Sequence, residues 1–483
     1  MRKANAAVRV SKYFNLDRDQ STLDFVDVPI GKDVKVFLDP SRLRTMDSQW
    51  AAECNSLLQH FFETLLSHLK EGDDAAGLSM LEHLTEKNEF HLGLSKGLSD
   101  GRAFGPAYAK KVWLALKNSK ARHSGLLQDI EDTCLFVEGI GPDRISDAVC
   151  NIIRGPLIKY TQDMCNYYGI KLTPDVDSGP IWDPNLDVWH DELVPLPTTP
   201  YGKILFVPKV TVRHRMAYDY SDYFRHHLLP AMQASEKLTN SALVILLKNG
   251  NVRVTKKDLR EKYGVDKLAV VTQTIRHPGV LDAYRSEKQR TSRPISNQTL
   301  TEVEDLPSPD YKSLLQSVLA LPVGNDSSGA YENAVEKLLS ALFYPSLSFP
   351  EKQHKIHDGR KRIDIKYANV ATTGFFHWAH QHYPCAHIFV ECKNYGNEIG
   401  NPELDQLAGR FSPSRGQVGL LVCRSVRNQE KLTRSCVDTA KDNRGYILSI
   451  TDDDLRILVQ EYLQSSGEHI FRILRQKFEK LVM

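Results

Sequence analysis

Residues 387–410 read HIFVECKNYGNEIGNPELDQLAGR, and the fold of the C-terminal part turns on them. The apolar run from Ile388 to Val390 has the character of a strand, yet it leads straight into Glu391 and Lys393. Side chains two apart on a strand share a face, so these opposite charges project together. Either they form an ion pair at a strand end, or they belong to a site whose chemistry needs both. The triplet alone does not decide, because an acid two residues before a lysine occurs four times: Asp33/Lys35, Asp310/Lys312, Asp364/Lys366 and Glu391/Lys393.

The order of elements around the triplet says more. Upstream, SGAYENAVEKLLSALF places Tyr331, Val335, Leu338, Leu339 and Leu342 at helical spacing. Glu332 sits near the start of that helix, and Glu336, one turn on, is expected to face solvent or a neighbouring helix. RKRIDIKYANV then reads as a strand carrying Asp364, AHIFVECKNY as a second strand, NPELDQLAGRF as a helix with Gln406, and GQVGLLVCRS as a buried strand. Cleavage of a phosphodiester calls for a divalent metal on hard oxygen ligands. Asp364 and Glu391 supply two, and the carbonyl of Cys392 is a candidate third. A metal-bound water becomes a nucleophile near neutral pH. Lys393 stands ready to orient that water or to stabilise charge growing on phosphorus.

Residues from about Gly329 to Leu458 resemble the PD-(D/E)xK restriction-endonuclease-like superfamily, in particular Mrr-type restriction nucleases and resolvases. The resemblance implies an α/β fold with an αβββαβ core, dependence on Mg²⁺ (or Mn²⁺) and cleavage of nucleic acid. Asp364 matches the first metal ligand, Glu391 the second and Lys393 the lysine. Glu332 matches the acid that many members carry on the first helix, and Gln406 the glutamine after the motif strand. Ile363 stands where the motif has proline. Asp364 and Glu391 are separated by 26 residues, longer than a tight hairpin needs. Either an inserted helix lies between their strands, or Asp358 replaces Asp364. Arg360, Lys361, Arg362 and Arg410 are candidates for contacts to the nucleic-acid backbone.

The rest of the chain sets the frame. A length of 483 residues allows two to four domains. With 62 basic and 60 acidic side chains, net +2, any charge that recognises nucleic acid must be local, which argues against a histone-like coat and is neutral about an enzyme. The eight cysteines contain no C-x-x-C pair and fit a reducing compartment. No apolar signal core or membrane-length run is present, so a cytoplasmic protein without a membrane partner is expected.

Residues 1–282 read as a helix-rich α+β recognition or regulatory region. One long helix starts after Ser48, and a Pro- and Asp-rich connection over 174–200 suggests two subdomains. Residues 283–310 lose periodicity and read as a linker, with Arg285, Lys288, Arg290 and Arg293 as a solvated tether. The nuclease-like domain occupies 311–483. The cluster His377, His380, His382, Cys385 and His387 matches no common zinc spacing. The glycines of 93–111 lack the ending of a phosphate-binding loop, and capping accounts for 139–147.

The expected function is DNA endonuclease, with RNA left open, in prokaryotic defence against foreign DNA. The N-terminal region would sense, select or restrain, and a protein partner or a second copy would bind through it. The alternatives are a structure-selective repair or resolving nuclease, and a non-catalytic nucleic-acid-binding or scaffold protein.

Overall fold

The computed structural model describes residues 8–84, 87–93, 106–356, 361–394, 399–465 and 470–483. The chain is mixed α/β with helix predominating, and its buried apolar side chains divide into two clusters. The first runs from Val10 to Leu300 and also takes in Tyr344 and Val370. The second runs from Tyr311 to Leu481. No helix among the described residues is long and apolar enough to cross a membrane.

In the first cluster the long helix α1 (Gln49–Glu71) begins at the expected place, its Ser48 side chain capping the Ala51 N–H. Phe61, Phe62 and Leu65 of α1 are buried. The helix α2 (Arg154–Tyr168) carries Tyr160, Tyr167 and Tyr168 toward the other half of the molecule. The interval expected as a connection, 174–200, instead holds two antiparallel strand pairs, Thr173–Asp177 with Leu193–Leu196 and Ile181–Asp183 with Val188–His190. Trp182 of this segment is buried against Phe61, ring centroids 5.0 Å apart. Such short strands bury few side chains, so prolines and turn residues dominate their sequence.

The expected linker is also structured. Helices α3 (Val280–Thr291) and α4 (Asn297–Val303) pack into the first core through Leu281, Tyr284 and Leu300, with Ile295 between them. Arg285 is no tether: it is buried and pairs with Asp132 at 2.6 Å. The apolar stripe of α3 is too short to register as a period, and the partner of Arg285 lies far upstream. Coil remains at 292–296, between the two helices, and at 306–310, ahead of the second cluster.

Lys209 ties these parts together. It is fully buried, donates to the Ser21 carbonyl at 2.9 Å and to Asn297 Oδ1 at 3.1 Å, and stands 4.0 Å from the ring centre of Tyr344. Burial pushes its pKa down to about 7, against the opposing pull of Asp24 and Asp19. A lysine whose folded pKa lies below its unfolded value holds fewer protons folded than unfolded between the two. Stability therefore rises with pH from about 7 to the ordinary lysine value, by on the order of a few kcal/mol. In Lys209→Met that rise should flatten, as read from denaturant midpoints measured between neutral and alkaline pH.

The second cluster is built on helix α5 (Ser328–Phe343) and a sheet of strands β1 (Leu347–Ile356), β2 (Lys361–Asn369), β3 (His387–Lys393), β4 (Val418–Cys423) and β5 (Tyr446–Ile450). The strands lie in the order β1-β2-β3-β4-β5. Neighbours are antiparallel from β1 to β3 and parallel from β3 to β5. Helix α6 (Gly374–His382) falls between β2 and β3, so the long interval there is an inserted helix. Parallel neighbours need crossovers, and α7 (Asn401–Ala408) and α8 (Gln429–Lys441) provide them. Every residue of β4 is buried, as expected of a parallel strand covered on both faces. Helices α9 (Asp452–Gln464) and α10 (Arg472–Val482) complete the layer.

Between the crossovers Phe411 fills a slot that only glycine permits. A Cβ on Gly445, where φ is +110°, would stand 2.2 Å from the Phe411 ring. Gly445→Ala should therefore lower stability by about 2–4 kcal/mol, through overpacking and a left-handed backbone that alanine disfavours. Thermal unfolding checks this, and an unchanged Tm would refute the packing described.

The halves meet along α5. Glu336 is buried and accepts from Arg18, from Tyr167 Oη at 2.8 Å and from Ser340 Oγ at 3.0 Å. Of the two expected settings it takes the neighbouring helix, through Tyr167 of α2, and not solvent. Further along, Asn297 donates to the Ala341 carbonyl at 3.1 Å, and Tyr344 Oη to the carbonyl of Ile295 at 2.8 Å.

Candidate active site

Strands β2 and β3 pair up to Ile365 opposite Val390, and Asp364 and Glu391 are the next residue on each strand. The two carboxylates lie close enough for each to feel the other's charge. Asp364 Oδ2 accepts the Cys392 N–H at 3.0 Å. Burial raises the Asp364 pKa, and the nearby negative charge of Glu391 raises it further. Two carboxyl groups in this position want a cation between them.

Glu391 is 1% exposed and fully engaged. Its Oε1 accepts from Lys393 Nζ at 2.8 Å and from Gln406 Nε2 at 2.7 Å, and its Oε2 accepts from Arg410 Nη1. Gln406 Oε1 in turn accepts from Lys393 at 3.3 Å. Helix α7 delivers Gln406 because its start is fixed, with Pro402 in the first turn and Glu403 accepting the Gly400 N–H at 2.9 Å. The fold thus brings together Asp364, Glu391, Lys393, Gln406 and Arg410.

Glu332 stands at the border. Half-buried on α5, it adds its negative charge to the surroundings of Cys392 and Lys352. The Cys392 thiol is half-buried and its pKa is raised well above the ordinary value, first by desolvation and then by Asp364 and Glu332. It is a packed thiol, not a nucleophile. Asn394, immediately past Lys393, was not singled out in the sequence. Its Nδ2 donates to the carbonyls of Pro322 and Gly324 and to Ser327 Oγ, which anchors the start of α5 beside the site.

The basic residues divide. Arg360 lies outside the described residues, as does the alternative ligand Asp358, and the side chains of Lys361 and Arg362 on β2 are likewise not described. Arg410, the fourth candidate for contact with the nucleic-acid backbone, is 4% exposed and turned onto Glu391. Arg410 lies in the turn just past the end of α7, where no helical spacing ties it to Gln406 in the sequence.

The residues present suit a magnesium-like ion, which is often held by one or two carboxylates and keeps several waters. Among the described residues no group of three or more His, Cys, Asp or Glu side chains is placed to hold a metal, so such an ion would rest on Asp364 and Glu391 with oxygens that are not side-chain carboxylates. The histidine cluster is dispersed. His377 bonds the Ala371 carbonyl at 3.1 Å, His380 meets Asp47 at 2.9 Å, and His387 bonds the Arg415 carbonyl at 2.8 Å.

No curated protein and no solved structure matches the chain. Residues 15–219 are similar to a family described as a domain of unknown function (DUF8370), and that match ends well before Glu332 and the site.

Proposed function

We propose that the C-terminal unit is a metal-dependent endonuclease that hydrolyses DNA phosphodiester bonds, with the N-terminal region selecting or restraining its substrate. The observation that carries this reading is the convergence of Asp364, Glu391, Lys393 and Gln406 in one cluster. The element order α5-β1-β2-β3-α7-β4, with α6 inserted, supports it. A bound Mg²⁺ or Mn²⁺ would supply an activated water and charge neutralisation at phosphorus. Asp364 and Glu391 would hold that ion. Lys393 would direct its ammonium at the non-bridging phosphate oxygens, where negative charge peaks during displacement. Gln406 fixes both Glu391 and Lys393, and so keeps the lysine on one side of the carboxylate pair. Glu332 would hold a water at the rim. Action against foreign DNA in a prokaryotic cytoplasm is the setting proposed.

The test is supercoiled plasmid incubated with the full-length protein and Mg²⁺ or Mn²⁺, with EDTA as control. Nicking or linearisation that EDTA stops and Asp364→Asn abolishes supports the reading. Plasmid left intact under every metal refutes it. A binding-only reading draws on one observation, the closure of Arg410 over Glu391, and plasmid retained in a gel shift without being cut would favour it.

A further inference from the structure

Arg410 sits where a simple metal site would leave Glu391 open. The carboxylate is almost completely buried, and the guanidinium that covers its Oε2 is buried as well. The Arg410 carbonyl accepts from Arg415 Nη2 at 3.3 Å, which helps hold the backbone there. Its Nε is also buried and lacks a hydrogen-bond partner among the described residues, as do the Nε atoms of Arg44, Arg154, Arg260, Arg415 and Arg424. What sets Arg410 apart is its place over one of two neighbouring carboxylates, where an incoming ligand would bring an acceptor.

The charges around it lead the same way. Asp364 and Glu391 carry two negative charges, and Lys393 and Arg410 carry two positive ones. Glu332 adds a further negative charge at the border, while Lys352 lies 3.8 Å from Glu336. The four central charges therefore balance without a ligand. A divalent cation would add two positive charges beside two fixed cations, in a place where water screens poorly. A phosphate backbone brings the missing negative charge, and its oxygens are the acceptor that Arg410 Nε lacks.

We infer that Arg410 is a positioning residue that holds Glu391 and makes metal loading conditional on a bound phosphodiester backbone. This rests on the endonuclease reading, and it deepens that reading by adding an order of assembly. Metal alone binds weakly because it must displace Arg410 from Glu391. Metal and DNA together bind tightly because the phosphate receives the displaced guanidinium. Linkage requires the reverse effect too, so that metal tightens DNA binding by the same factor.

The experiment is a Mn²⁺ titration of the full-length protein, followed by electron paramagnetic resonance, with and without a DNA duplex of phosphorothioate backbone that resists cleavage. In the wild type the duplex should raise Mn²⁺ affinity by about 5–150-fold. Arg410→Gln should bind Mn²⁺ alone more tightly than the wild type, and the duplex should add little. Arg410→Lys keeps the charge and should keep the coupling. Where circular dichroism finds Arg410→Gln unfolded, Arg410→Lys carries the test, and loss of its coupling overturns the inference. Equal Mn²⁺ affinity in Arg410→Gln and wild type overturns it as well. Failure of the wild type to cut plasmid refutes the endonuclease reading separately, because the titration needs no turnover.

Discussion

Lys393→Ala is expected to lower plasmid cleavage by about 10²–10³-fold while the protein stays folded and still binds DNA. The ammonium serves a charge that peaks in the transition state, so binding of the ground state loses little when it goes. The structure explains why folding should survive. Lys393 is one of three donors on Glu391, and without it the carboxylate keeps both Arg410 and Gln406. Glu391→Ala is a different lesion, because it strands the buried Arg410 and should lose stability as well as activity. Rates over a Mg²⁺ titration, with circular dichroism on each variant, separate the two. A Lys393→Ala protein that cuts at the wild-type rate would reduce Glu391 and Lys393 to an ion pair on a strand.

The second large effect is on stability. Glu336→Ala should destabilise the protein by about 3–5 kcal/mol, the cost of leaving a buried charge without its partner. Arg18, almost as deeply buried, would lose its counter-charge, and Tyr167 would lose its acceptor. Burial by itself would raise the Glu336 pKa, but the Arg18 guanidinium outweighs it and the net direction is down. For an acid with a depressed folded pKa, the stabilisation is complete above the unfolded value and is lost as pH falls through the folded one. Glu336→Ala should therefore blunt acid unfolding as well as lower the midpoint at neutral pH. Replacing both Arg18 and Glu336 by apolar residues should recover much of the loss, and urea titrations of the single and double variants measure it. A single-variant cost below about 1 kcal/mol would place the pair with ordinary surface ion pairs.

How much of this was legible depended on whether a residue's partner was close in sequence. Glu391, Lys393 and Gln406 fall within one short stretch, and apolar alternation on β3 announces the strand that carries them. Asp364 could be matched to them only by the order of elements, and its contact with Cys392 spans the inserted α6. Arg285 reads as a solvated tether, and the setting of Glu336 stays open between solvent and a neighbouring helix, for a common reason. Their partners, Asp132 and Arg18, lie 153 and 318 residues away, and a charge whose partner is that distant looks like a solvated one. Residues 174–200 and 283–310 read as connections because short strands and a narrow apolar stripe leave no period to count.

Tyr344 and Val370 belong to the C-terminal part of the chain, yet their side chains complete the N-terminal core. Sequence position and mechanical unit therefore do not coincide. A protease that nicks the coil at 306–310 should leave two fragments that co-elute, because the fragments hold one another by buried surface and not by the peptide bond between them. Residues 311–483 made alone would bare Tyr344, strip Glu336 of Arg18, and present to solvent a face that evolved as an interior. Such a fragment should be sticky and poorly behaved, and adding back residues 1–310 should rescue its solubility.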